Sequence, residues 1–67
     1  MNILATDIRD QKRTNPYSGQ SEMLTREEAI LYDSILIAEK NEDYSTMRQG
    51  LNKFARLNAA AYMTLLD

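Results

Sequence analysis

Serine hydroxyls and neighbouring carboxylates are the side chains of this sequence that resemble catalytic groups. A serine hydroxyl needs a base to become a nucleophile, and that base is most often histidine. The 67 residues contain neither histidine nor cysteine, which excludes serine–histidine and cysteine–histidine catalysis. The carboxylates of Glu27/Glu28 and of Glu42/Asp43 are adjacent in sequence, and adjacent side chains on a helix point apart. We therefore expect that the protein is not an enzyme.

Metal, cofactor and nucleic-acid binding are not indicated by the remaining polar residues. Histidine and cysteine, the common zinc ligands, are absent, and Glu28 and Asp33 lack the i, i+4 spacing of neighbours on a helix. Arg48, Asn52 and Arg56 form a row at i, i+4 and i+8, but the net charge is −2, whereas nucleic-acid-binding domains are usually basic. No apolar stretch approaches the ~20 residues that span a bilayer. We expect no cofactor and no membrane partner, and we do not favour a nucleic-acid partner.

A first helix is predicted from about Arg26 to Lys40. Thr25 and Glu28 have the spacing of a capping box, in which each side chain bonds the backbone N–H of the other residue. Lys40 suits the last turn because cations stabilise helix C-termini. Asn41 is predicted to end the helix in the left-handed conformation.

This helix is apolar on nearly every side. Eight of residues 29–38 are apolar or aromatic, with Leu31 and Ile35 on one face and Ile30 and Ile37 nearly opposite. A helix that is apolar all round needs burial all round, and so short a chain has little else to cover it. The sequence predicts that another molecule supplies the missing cover.

A second helix is predicted to begin at Tyr44, capped by Asp43, and to lie antiparallel to the first because the connection is short. Gly50 lies at the edge of its apolar face. We interpret it as a tolerated surface glycine, the alternative being a point of close helix approach. Asn58 either caps a short third helix or lies within a continuous second helix, and we favour a break there.

Residues 1–24 differ in character from the helices. They are largely polar and contain the only proline and one of the two glycines. Such a segment has too little apolar surface to offset its ordering entropy, so we expect an extended arm that is ordered only on a partner. The predicted fold class is all-α: an antiparallel helical hairpin at 25–67, with or without a short third C-terminal helix, preceded by this extended N-terminal arm.

These features are most typical of a non-enzymatic structural or assembly subunit that docks on a larger protein complex or self-associates. In build, the chain resembles minor virion proteins of phages. One alternative is a small helical inhibitor or regulator that binds an apolar groove on an enzyme or polymerase, and a third is a nucleic-acid-binding factor. The expected location is the cytoplasm, a virion or another large assembly. The predicted partner interface consists of apolar and aromatic residues of the arm and the first helix: Ile3, Leu4, Ile8, Tyr17, Ile30, Tyr32 and Ile37.

Overall fold

A computed structural model describes residues 8–66. Two strands precede three helices, and the strands form an antiparallel sheet. The fold class is therefore α+β, and the all-α prediction is wrong because residues 9–25 form a β-hairpin instead of an extended arm. The elements are β1 Arg9–Thr14, β2 Ser21–Thr25, α1 Arg26–Lys40, α2 Tyr44–Leu57 and α3 Ala59–Leu65.

The hairpin was missed because β1 contains no apolar residue, so it lacks the alternating hydrophobic pattern that predicts a strand. Two of its side chains, Arg9 and Arg13, instead bond to carboxylates of α1. Gln11 lies opposite the fully buried Leu24, and Arg13 lies opposite Glu22. Glu22 in turn accepts a hydrogen bond of 2.8 Å from the hydroxyl of Thr64 on α3. Contacts between residues far apart in sequence therefore hold the sheet against the helices.

The start of α1 confirms the predicted capping box. The Thr25 hydroxyl accepts from the Glu28 N–H at 3.1 Å, and Glu28 Oε1 accepts from the Thr25 N–H at 3.0 Å. The same Oε1 accepts from the Arg9 guanidinium of β1 at 2.7 Å and from the Asn58 amide at 3.4 Å. One buried carboxylate thus joins β1, the start of α1 and the α2–α3 junction.

The first helix ends at Lys40 as predicted, but the left-handed residue lies one position beyond the predicted Asn41. Asn41 has a φ of −88°, and Glu42 has a φ of 58° instead. The N–H of Asp43 bonds the carbonyl of Ala38, and the N–H of Glu42 bonds that of Glu39. This pair of bonds is a Schellman motif, in which the residue after the C-cap is left-handed.

The second helix begins at Tyr44, and Asp43 caps it by accepting from the Thr46 N–H at 3.3 Å. The break at Asn58 is confirmed. Asn58 has an extended φ of −154°, and its side chain accepts from the Ala61 N–H at 3.0 Å. The chain therefore turns there and runs back as α3.

The core lies where α1, α2, α3 and β2 meet. Tyr32 and Phe54 lie at its centre, with ring centroids 6.2 Å apart. Gly50 marks the close approach of α2 to α1, because a Cβ added there would lie 2.6 Å from Cγ1 of Ile35. Our interpretation of Gly50 as a tolerated surface glycine is therefore wrong.

Candidate protein-binding surface

The predicted interface residues that lie within residues 8–66 are found in three different environments. Ile3 and Leu4 lie outside the described residues. Ile8, just before β1, is half exposed. Tyr32 is only 2% exposed and belongs to the chain's own core, so its side chain does not lie on the outer surface. The remaining three, one at the tip of the β-hairpin and two on α1, are exposed.

Two isoleucines of α1 form an apolar ridge on its outer side. Ile30 and Ile37 are 63% and 60% exposed, and the exposed Ser34 lies between them. We refer to these three residues as the ridge. Ile35 is buried on the other side of the helix, as the helical wheel predicts. The rest of the fold therefore buries one side of α1 and leaves the ridge uncovered.

The flank of the ridge is charged. Arg26, Asp33 and Lys40 are spaced by seven residues, which places them along one side of α1. Asp33 accepts two hydrogen bonds from Arg13 of β1, at 2.9 and 2.8 Å. The hydrogen-bonded carboxylate raises the pKa of Arg13 above its ordinary value. This bidentate pair fixes β1 beside the ridge.

The tip of the hairpin presents Tyr17 to solvent. Asn15 is buried, and its side-chain oxygen accepts from the Tyr17 N–H at 2.8 Å while its amide donates to the Thr64 carbonyl of α3 at 3.0 Å. Gly19 closes the turn with a φ of +79°, a conformation that glycine adopts without steric cost. The turn is thus held on α3 while the Tyr17 ring remains 94% exposed.

An apolar cleft of about 230 Å³ opens beside this tip. We call it the cleft; Pro16 and Tyr17 form one end, and Glu39 is the charged residue among its described lining. Its apolar walls come from all three helices: Tyr32, Ile35, Leu36, Met47, Leu51 and Leu65. Sequence reasoning missed the cleft because the apolar pattern of α2 identifies Met47 and Leu51 as inward-facing but not whether another element covers them.

The Tyr32 hydroxyl is buried and has no hydrogen-bond partner among residues 8–66. Burial raises the pKa of Tyr32 above its ordinary value, and the nearby charge of Asp33 adds to the effect. The phenol therefore stays neutral at physiological pH. A neutral ring among aliphatic side chains suits the cleft to apolar groups.

The basic row of α2 does not merge with the cations of the hairpin. Arg48 and Asn52 line a shallow surface depression on the outside of α2. Arg9 and Arg13, which could extend such a row towards a phosphate backbone, instead pair with carboxylates of α1. The structure therefore does not assemble a continuous basic surface from these two segments.

Neither a metal-binding cluster nor a membrane-spanning helix occurs among residues 8–66. Residues 8–66 bring together no group of three potential metal-ligating side chains. In the same part of the chain, no helix has both the length and the apolar character needed to cross a membrane. The chain matches no known family, curated protein or solved structure in the comparisons made.

Proposed function

We propose that this protein is a non-enzymatic assembly subunit that binds another protein surface through the ridge of α1. The observation that carries the proposal is the exposure of Ile30 and Ile37, at 63% and 60%, on the side of α1 away from the core. Full burial of an isoleucine side chain contributes ~1.5–3 kcal/mol. Two such residues one above the other, two helical turns apart, form a line that a partner surface can cover.

The exposed Tyr17 at the tip of the hairpin supports the same proposal. Tyrosine is enriched at protein interfaces because its ring is largely apolar and its hydroxyl is polar. Tyr17 stands on a turn that Asn15 ties to α3, so binding need not order that turn. Preorganisation of this kind lowers the entropic cost of association.

The resemblance in build to phage virion proteins depended on an extended arm. Since residues 9–25 form a β-hairpin, the resemblance no longer distinguishes a virion from any other assembly. We therefore propose the general function, in the cytoplasm or in a large assembly. The inhibitor or regulator alternative would use the same ridge and differs in copy number.

The test is the native mass of the tagged chain in a lysate of its own host. We expect the wild-type chain to elute in a complex and the variant Ile30→Ser/Ile37→Ser to elute as the free chain, because the variant loses apolar contact area. Both side chains are exposed, so the circular dichroism spectrum and unfolding midpoint should hardly change. Many copies per complex support an assembly subunit, and one or two copies support a regulator.

A matched control removes exposed apolar side chains from other elements. Leu57 and Met63 are 42% and 63% exposed on α2 and α3, so Leu57→Ser/Met63→Ser should leave the complex intact. Equal loss in both variants would show that general surface hydrophobicity, and not the ridge, drives binding. A wild-type chain that always elutes alone would contradict the proposal outright.

A further inference from the structure

We infer that the partner of the ridge is a second copy of this chain, whose cleft receives Ile37, so that copies join head to tail. This inference rests on the proposed function and adds the identity of the partner. The chain contains both halves of such a contact: an exposed aliphatic line on α1 and an apolar cleft lined by Leu36 and Met47.

The two halves lie on different sides of α1. Glu39, in the cleft lining, follows Ile37 by two residues, which separates their directions by about 200° on a helix of 3.6 residues per turn. A single symmetric contact between two copies therefore cannot bury the ridge and the cleft together. A contact between unlike surfaces can, and such contacts form rings or open filaments.

The dimensions of the cleft suit an aliphatic side chain. Its volume is about 230 Å³, whereas an engineered protein cavity of ~150 Å³ accommodates benzene. An isoleucine side chain is smaller than benzene and enters without crowding. Met47, on the α2 wall, is flexible and adapts to irregular shapes.

The charges around the two halves are complementary. Lys40 lies beside Ile37 on the flank of the ridge, and Glu39 is the charged residue in the described lining of the cleft. Docking Ile37 in the cleft of a second copy brings these opposite charges to the same rim, which favours that orientation. Contact between the ridges of two copies would instead bring like charges together. An antiparallel pairing of Ile30 with Ile37 would place Arg26 of one copy beside Lys40 of the other.

The experiment uses one variant for each half of the contact. Ile37→Asp replaces the docking side chain of the ridge with a charge, and Leu36→Glu adds a charge to the cleft. Both side chains are partly exposed, so both variants should fold. We expect the wild-type chain to associate across a concentration series in sedimentation and each variant alone to stay monomeric. A mixture of the two should form a 1:1 dimer that grows no further, because it retains one intact ridge and one intact cleft.

Charge reversal gives a second measurement that leaves the apolar residues of the contact unchanged. Glu39→Lys and Lys40→Glu should each weaken association by about two- to fivefold, as for exposed ion pairs. The double variant Glu39→Lys/Lys40→Glu should recover wild-type affinity, because the charges across the contact are again opposite. Failure of the double variant to recover would overturn the proposed pairing.

Three other outcomes overturn the inference. If Leu36→Glu associates with itself, the ridges of two copies must contact each other. If the wild-type chain associates but the mixture of the two variants stays monomeric, head-to-tail contact is excluded. A wild-type chain that stays monomeric at every concentration excludes a second copy as the partner. The proposed function survives that last result if the host complex still depends on Ile30 and Ile37, so the two failures are distinguishable.

Discussion

Tyr32 is the residue at which packing and hydrogen bonding conflict. Its ring lies against Phe54 in the core and lines the cleft. Its hydroxyl has no partner among residues 8–66, and an unsatisfied buried hydroxyl costs ~1–3 kcal/mol. Phenylalanine would fill the same core space without that cost, so the hydroxyl does not contribute to stability in the free chain.

Tyr32→Phe is therefore expected to raise the free energy of unfolding by about 1 kcal/mol, measured by urea denaturation. Tyr44→Phe is the control, since Tyr44 is 56% exposed and its hydroxyl reaches water; it should change stability by less than ~0.5 kcal/mol. Destabilisation by Tyr32→Phe would mean that the hydroxyl has a hydrogen-bond partner.

The free energy of unfolding of Tyr32→Phe should also depend on pH differently from that of the wild-type chain. Burial raises the pKa of Tyr32 above its ordinary 10.0, so above about pH 10 the unfolded chain loses this proton while the folded chain retains it. The unfolded state then binds fewer protons, and the free energy of unfolding falls as pH rises. Tyr32→Phe lacks this loss, so its advantage over the wild-type chain should widen between pH 9 and 11. A constant difference would contradict the assignment.

At the scale of elements, the approach of α2 to α1 depends on the absence of a side chain at Gly50. Glycine inside a helix costs ~1 kcal/mol relative to alanine, so helix propensity alone favours replacement. The 2.6 Å from an added Cβ to Cγ1 of Ile35 opposes it, because that atom is near the base of a buried side chain. Steric exclusion outweighs propensity at this position, since overpacking costs ~1–3 kcal/mol.

Gly50→Ala should accordingly lower the thermal midpoint instead of raising it. Asn52→Ala is the matched control, because Asn52 is exposed on the same helix and alanine should stabilise it by a few tenths of a kcal/mol. In an Ile35→Ala background the clash is gone, so Gly50→Ala should become neutral or stabilising. If Gly50→Ala stabilises the wild-type chain, α2 does not approach α1 as closely as the structure indicates.

For the whole molecule, the hairpin determines how much of α1 needs a partner. Two ion pairs join it to α1, Arg9 with Glu28 and Arg13 with Asp33. Asn15 joins its tip to α3. The hairpin therefore belongs to the same folded unit as the helices, and it supplies cover that we expected from another molecule.

Limited digestion of the free chain with trypsin tests whether the hairpin and the helices form one folded unit. Cleavage after Arg9 and Arg13 should be slow, because both side chains are engaged with α1; an extended arm would be cut rapidly. Asn15→Ala should accelerate cleavage by releasing the tip from α3, whereas Gln20→Ala, at an exposed position of the same turn, should not. Rapid cleavage of the wild-type chain would restore the arm hypothesis.

Features that depend on neighbours along the chain could be predicted from the order of the residues alone. The capping box of Thr25 and Glu28 and the break at Asn58 follow from hydrogen bonds within three residues, and the helical period predicted the outward direction of Ile30 and Ile37. Each of these is set by local backbone geometry. Such signals can be read without knowing the rest of the fold.

The sheet, the role of Gly50 and the cleft could not be predicted in this way, because each depends on how distant elements pack. Strand β1 has no apolar residue, and its inward side is held by Arg13, whose partner Asp33 is 20 residues away. Gly50 matters because of Ile35 on another helix, and the cleft exists because α3 and the hairpin leave part of α1 and α2 uncovered. These features depend on distances between elements far apart in sequence, and local propensity and periodicity contain no information about such distances.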